Sequence, residues 1–144
     1  MNNKKFKEQD INFEQIERFL ESAQKKINSS KKVLLIDQEL SYQTAYEAMI
    51  KASLALMLSF GKRPRSLPGH HVAIIDFIEN KLDKKHKELI GLFDDMRKKR
   101  NKFIYEDISF ISQYETEQSI KIAIKFIDII RKKIHETHPQ KKLL

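Results

Sequence analysis

The stretch SYQTAYEAMIKASLALMLSF, residues 41–60, has the pattern of an α-helix with one closely packed face. Small and apolar side chains recur along it at steps of three and four, as expected for about 3.6 residues per turn. These are Ala45, Ala48, Met49, Ala52, Ala55 and Leu56. Because most of them are alanine, other helices can approach this face closely, and Gly61 can end the helix. The stretch therefore predicts a helix inside a helical bundle.

The flanking sequence predicts further helices on both sides of this one. Ile16, Leu20, Ala23, Ile27 and Leu34 mark a long helix that begins near Phe13. The segment GKRPRSLPG, residues 61–69, contains two prolines and two glycines, which is typical of a loop. A short helix with Val72, Ile75 and Ile78 follows it, and Asp83 is positioned to cap the next one. No alternating pattern indicates a strand, so the predicted fold is an all-α bundle of about five helices.

The last helix follows a capping-box pattern, in which Ser112 precedes Glu115 by three residues. One apolar row in this helix contains Ile120, Ala123, Ile127, Ile130 and Ile134, and a second contains Ile122, Phe126 and Ile129. Two rows form an apolar arc that is too wide for a helix with a solvated side. This helix is therefore expected either to be central in the bundle or to be shared with a second subunit.

Length, charge and composition limit the classes of function. The 144 residues fit a single domain, residues 1–144, with ends that we expect to fray at about 1–10 and 137–144. A net charge of +8 favours a polyanionic partner. The absence of cysteine excludes thiolate zinc sites, and we expect neither a metal nor a cofactor. No apolar run is long enough to span a membrane and the first residues lack an apolar signal core, so we expect a cytoplasmic protein.

The basic stretch FDDMRKKRNKFIY, residues 93–105, contains the strongest candidate site. On a helix, Arg100 falls on the same stripe as the apolar Phe93, Met96 and Phe103. A guanidinium group in that position needs either an internal acid or a polar groove. Two interpretations therefore stay open: a structural ion pair with Asp94, Asp95 or Glu47, or a site that binds an anion.

Two groups of polar residues accompany Arg100. Asn101 and Tyr105, at the end of the helix, can surround a phosphate together with the guanidinium group. His70 and His71 belong to a loop and helix start, where they either bind at a cleft or make local hydrogen bonds. Less specific attraction for nucleic acid is expected from Arg97, Lys99, Lys102, Arg63 and Arg65. The alternative for the lysines is a solvated helix face, with Lys98 and Lys99 paired to Asp94 and Asp95.

The stretches MRKKRNKFIYE, residues 96–106, and AYEAMIKASLALMLSFGKRPRSLPGHH, residues 45–71, resemble the HEPN superfamily (higher eukaryotes and prokaryotes nucleotide-binding). The signature of that family is an arginine, usually followed by a polar residue, with a histidine a few positions later. Arg100 and Asn101 match the first two positions, and Tyr105 occupies the histidine position. The resemblance implies a homodimer that cleaves RNA without a metal in a cleft between its subunits. It also implies a toxin whose antitoxin is a nucleotidyltransferase.

These observations predict an RNA-binding protein of toxin-antitoxin or defence type, with Arg100, Asn101 and Tyr105 at the reaction centre. Because tyrosine has a pKa of about 10, it is a poor general base at neutral pH. We therefore expect metal-independent ribonuclease activity to be weak or lost, unless His70 or His71 supplies the missing group. The alternative is a non-catalytic interaction module that binds a nucleotidyltransferase.

Overall fold

The computed structural model describes residues 6–65, 69–106 and 110–139. Its helices are α1 (Phe13–Val33), α2 (Gln38–Ser59), α3 (His70–Lys81), α4 (Lys87–Tyr105) and α5 (Gln113–Thr137). A 3₁₀ turn at Lys84–His86 precedes α4, and two short strands, β1 (Phe6–Glu8) and β2 (Lys62–Pro64), pair with each other. The predicted all-α bundle of about five helices is confirmed. None of the described helices is long and apolar enough to cross a membrane.

Helix α2 is the centre of the bundle and contacts the other four helices. Its alanines Ala45, Ala48, Ala52 and Ala55 have no exposed surface, which agrees with the close helix contacts predicted for this face. Two serines join α1 to α2, since the Ser30 hydroxyl donates to the Ser41 carbonyl and the Ser41 hydroxyl donates to the Ser30 carbonyl, at 2.6 and 2.7 Å. These reciprocal bonds satisfy polar groups that would otherwise be buried without partners.

Side-chain caps start three of the helices. Asn12 accepts from the Gln15 amide at the start of α1, Asp37 from Leu40 in α2, and Ser112 from Glu115 in α5. The Ser112 cap was predicted. Asp83 was expected to cap the helix that carries the basic stretch, and that prediction is wrong. Asp83 precedes the 3₁₀ turn and makes no side-chain capping bond, while α4 begins only at Lys87.

The strand pair corrects the expectation that the chain contains no strand. Phe6 lies opposite Pro64 and Glu8 opposite Lys62 in an antiparallel pair, where the Lys62 ammonium pairs with the Glu8 carboxylate. Phe6 also packs edge-on against Phe77, with ring centroids 5.5 Å apart. Three-residue strands are too short to show an alternating pattern. Phe6, within the segment expected to fray, is thus in contact with α3.

Helix α5 lies against α1, α2 and α4, and its first apolar row is buried throughout. In the second row, Phe126 is fully buried against Phe93, with ring centroids 4.9 Å apart. Ile122 and Ile129 are partly buried against the same core. Most of the wide arc is therefore covered within one chain, and the central position is the alternative that the structure supports. The homodimer stays a prediction.

Candidate functional site

A pocket of about 320 Å³ lies where the start of α3 meets the last turns of α4. Six of the residues predicted for the site line it: His70, His71, Arg97, Arg100, Asn101 and Tyr105. Gly69 and Val72 complete the lining. Two segments separated by about thirty positions are thus brought together. We call this cavity the Arg100 pocket.

The start of α3 places the two histidines at the pocket. Gly69 precedes the helix with φ of +77°, a left-handed conformation that glycine adopts without strain. The His71 Nδ1 then lies 3.0 Å from the hydroxyl oxygen of Tyr46, which is fully buried in α2. His70 packs edge-on against His71, with ring centroids 4.6 Å apart. Tyr46 therefore fixes the position of His71 from inside the bundle.

Arg100 lies above the ring of Tyr46, with its guanidinium carbon 5.7 Å from the ring centroid. Its Nε is buried and has no hydrogen-bond partner among the described residues. Two of the acids proposed as structural partners of Arg100 form ion pairs with other residues. Asp94 binds Arg97 at 2.8 Å, and Glu47 binds Lys26 at 2.9 Å.

No described carboxylate, Asp95 included, forms an ion pair with Arg100. Within residues 6–65, 69–106 and 110–139, the interpretation of Arg100 as half of a structural ion pair is therefore wrong. A cation–π contact with Tyr46 supports one face of the guanidinium group, and the pocket supplies polar surroundings. An anion that entered the pocket would meet a cation that is not already neutralised.

The pKa values of the two groups beneath Arg100 are strongly perturbed. Burial raises the pKa of Tyr46 above its ordinary range, although Arg100 and Arg97 oppose the shift. Burial lowers the pKa of His71 to about 4, and the charges of His70, Arg100 and Arg97 add to that effect. At neutral pH the Tyr46 phenol and the His71 imidazole are therefore both uncharged, and Arg97 and Arg100 contribute positive charge to the pocket.

The other predicted residues lie outside the pocket. Lys99 binds Glu115 at 2.7 Å, which ties α4 to the start of α5, so the predicted Asp95–Lys99 pair is wrong. The predicted pair of Asp94 with Lys98 is confirmed at 3.5 Å. Three further cationic residues predicted to attract nucleic acid are not part of the lining either: exposed Lys102, exposed Arg63 in β2, and half-buried Arg65.

Sequence reasoning missed Tyr46, which supports both Arg100 and His71. A large polar aromatic side chain beside an alanine-rich face was the available signal, because a buried tyrosine hydroxyl usually needs a hydrogen-bond partner. No candidate for that partner could be identified from spacing alone, since His71 lies 25 positions away. Among the described residues, no group of three or more histidine, aspartate or glutamate side chains could hold a metal ion.

The fold and this pocket define a helical domain with a basic site at the junction of two helices. The family model of the HEPN domain matches residues 13–134, from the start of α1 into the last turn of α5. The chain therefore belongs to the HEPN domain family. No curated protein matches the sequence.

Proposed function

We propose that the protein binds RNA, with a backbone phosphate held in the Arg100 pocket. The observation that carries the proposal is the contrast between Arg100 and its neighbours. Arg97, Lys98 and Lys99 each have a carboxylate partner, whereas Arg100 has none among the described residues and lines a pocket. A guanidinium group binds phosphate through two parallel hydrogen bonds, which makes it suited to this role.

The remaining pocket residues are assigned roles that follow from their chemistry. Asn101 offers an amide that can orient the phosphate, and the exposed ring of Tyr105 offers a surface on which a base can stack. His71 is uncharged, and when the Tyr46 phenol donates to its Nδ1, the imidazole keeps its proton on Nε2 as a neutral donor. Arg97, Lys99, Lys102, Arg63 and Arg65 add a long-range attraction for polyanions.

The same geometry supports weak or absent metal-independent cleavage. An imidazole with a pKa of about 4 is neither an imidazolium acid nor a strong base at neutral pH. Tyr105 stands where the family signature has a histidine, so the imidazole of that signature is missing from the pocket. We therefore assign the protein to RNA binding of toxin-antitoxin or defence type, with residual ribonuclease activity at most.

The test compares Arg100→Ala with Lys98→Ala for binding to a short single-stranded RNA. Both changes remove one positive charge from α4, but Lys98 is exposed and outside the pocket. We expect Arg100→Ala to weaken binding by about tenfold to a hundredfold, as loss of a charge-assisted bond worth about 1.5–3 kcal/mol implies. Lys98→Ala should change it by less than threefold. Equal losses would reduce the site to a general charge patch.

A second candidate function is a protein-interaction module that binds a nucleotidyltransferase. The observation in its favour is a group of exposed apolar side chains, Leu35, Ile36 and Leu40, where α1 turns into α2. A partner protein that bound these side chains would bury apolar surface, and such binding depends little on salt. Phosphate contacts instead release counterions and weaken steeply as the salt concentration rises. A protein that retains no RNA at low salt would favour this candidate over RNA binding.

The proposed assembly is a cytoplasmic homodimer with RNA bound between subunits. Supporting apolar surface is present at the junction of α4 and α5, where Tyr105, Phe110 and Tyr114 are exposed. Because Tyr105 also lines the Arg100 pocket, a second copy that covered this junction would contribute to the walls of the site.

A further inference from the structure

A second cavity, of about 440 Å³, runs between α1 and α5. It is lined by Gln24, Ile27, Lys31, Lys121, Ile124, Lys125, Ile127, Asp128 and Arg131. We call it the α1–α5 groove. It shares no residue with the Arg100 pocket, and no residue in it was predicted to be functional.

The groove is positively charged and its cations are not neutralised. Lys31, Lys121, Lys125 and Arg131 face a single acid, Asp128, which already pairs with Lys132 at 3.1 Å. None of the four cations forms an ion pair with a described residue, and the Nε of Arg131 is buried without a hydrogen-bond partner in that part of the chain. Elsewhere on α4 and α5, cations such as Arg97, Lys99 and Lys132 are paired. Four cations without an ion pair therefore lie together along this groove.

We infer that the α1–α5 groove is a second binding site, which holds the phosphodiester backbone of a single nucleic-acid strand. Along α5 the cations extend from position 121 to position 131, a length of about 15 Å at 1.5 Å per residue. A single strand laid along this length would place several phosphates beside these cations. Lys121, Lys125 and Arg131 thus form a row of positive charge along which a polyanionic strand can lie.

The floor of the groove adds an argument for nucleic acid over an acidic protein. Ile27 and Ile127 are buried beneath the cations, and Ile124 is 41% exposed between Lys121 and Lys125. These aliphatic side chains can bury the apolar faces of unstacked bases while the cations contact the phosphates of the same strand. This inference does not depend on RNA binding at the Arg100 pocket.

The test measures binding of a fluorescent oligouridylate over a series of salt concentrations. The groove variant combines Lys121→Gln with Lys125→Gln, two exposed positions whose change leaves the core intact. The control combines Lys84→Gln with Lys87→Gln, which removes the same charge at exposed positions outside both cavities. For single strands, log K falls with log salt, and each lost phosphate contact makes this slope shallower by about 0.7. The slope of the groove variant should therefore be shallower than that of wild type by about 1.4, and the control should keep the wild-type slope.

Equal slopes in the groove variant and the control would overturn the inference. So would tighter binding of an oligoglutamate peptide than of oligouridylate, because the groove would then prefer an acidic protein. Arg100→Ala, measured in parallel, tests the proposed function separately. If it binds like wild type while the groove variant loses affinity, the Arg100 pocket fails as an RNA site and the groove stands.

Discussion

The hydroxyl of Tyr46 and the Nδ1 of His71 lie 3.0 Å apart beneath the guanidinium group of Arg100, and their burial determines the charge of the pocket. Burial deprives a protonated imidazole of the hydration that stabilises its charge in water, and two arginines nearby also oppose the protonation of His71. Near neutral pH His71 therefore adds no positive charge to the pocket. Binding through Arg100 should not require acidic conditions.

The depressed pKa of His71 predicts that acid destabilises the fold. The unfolded imidazole has a pKa of 6.5 and the folded one of about 4, so between these values only the unfolded chain binds the proton. Stability should fall as the pH is lowered through this window. When the pH is lowered from about 7 to about 5, the free energy of unfolding of His71→Gln should fall by about 1 kcal/mol less than that of wild type, as measured by urea unfolding. This figure is reduced because the His71 side chain is partly exposed.

The groups around His71 that bear on this measurement come from three helices. They are Tyr46 and Glu47 in α2, His70 in α3, and Arg97 and Arg100 in α4. A matched control is His135→Gln, on the exposed side of α5. If both variants lose as much stability as wild type between the two pH values, burial of His71 does not control the acid response.

Replacing Tyr105 by histidine should create or raise metal-free RNA cleavage. Tyr105 is largely exposed and lines the pocket beside Arg100, so the change should leave the fold intact. A positioned acid or base typically contributes about 10²- to 10⁴-fold to a rate. Cleavage assays in the presence of a chelator should show this gain in Tyr105→His and lose it when Arg100→Ala is added.

Strong cleavage by the wild-type protein would contradict that expectation. If the double change His70→Ala with His71→Ala then abolished it, proton transfer would belong to the start of α3 rather than to the end of α4. The binding measured for Arg100→Ala separates this outcome from a failure of the pocket to hold RNA.

At the scale of elements, regular apolar spacing was sufficient to predict the helices. Ile16, Leu20, Ala23 and Ile27 repeat at helical steps and are all buried in α1. The strand pair was not predictable, because its register depends on contacts such as Phe6 with Phe77 that join distant parts of the chain. Phe93 and Met96 lie on the apolar stripe predicted for α4, and both are buried. The residue that supports Arg100, Tyr46, belongs to α2 and was not predicted.

The Arg100 pocket could be predicted only where its residues belong to a single helix. Asn101 and Tyr105 are four residues apart on α4, so helical geometry places them on one face, and Arg100 lies within the same turn and a half. Their proximity to His70 and His71 depends on how α3 packs against α4, which local spacing does not specify. The role of Tyr46 depends on the same packing.

Helix α5 provides a test of packing within a single element. Phe126 is fully buried against Phe93, whereas Ile124, two residues earlier, is 41% exposed. Phe126→Ala should lower the free energy of unfolding by about 3–5 kcal/mol, since it removes a large side chain and leaves a cavity. Ile124→Ala should cost about 0.5 kcal/mol. Similar losses in urea unfolding would mean that α5 packs with a different face toward the core.

At the scale of the whole molecule, exposed aromatic side chains cluster around the junction of α4 and α5. The ion pair of Lys99 with Glu115, at 2.7 Å, holds the start of α5 beside α4. Tyr114 lies next to Glu115 in α5 and is exposed, as is Tyr105 at the end of α4. The junction therefore combines apolar surface with one wall of the Arg100 pocket, so a second copy bound there would alter the site proposed to hold RNA.

We expect the protein to be a dimer at micromolar concentration and to use this junction as its interface. Phe110 is 82% exposed and Tyr114 is 70% exposed, and burying a large apolar side chain contributes about 1.5–3 kcal/mol. In sedimentation equilibrium, Phe110→Ser with Tyr114→Ser should shift the protein to monomer. The control, Leu35→Ser with Ile36→Ser, removes two exposed apolar side chains at the α1–α2 turn and should stay dimeric. A wild-type protein that sediments only as a monomer would exclude the two-subunit site, and RNA binding by Arg100 would then have to occur within one chain.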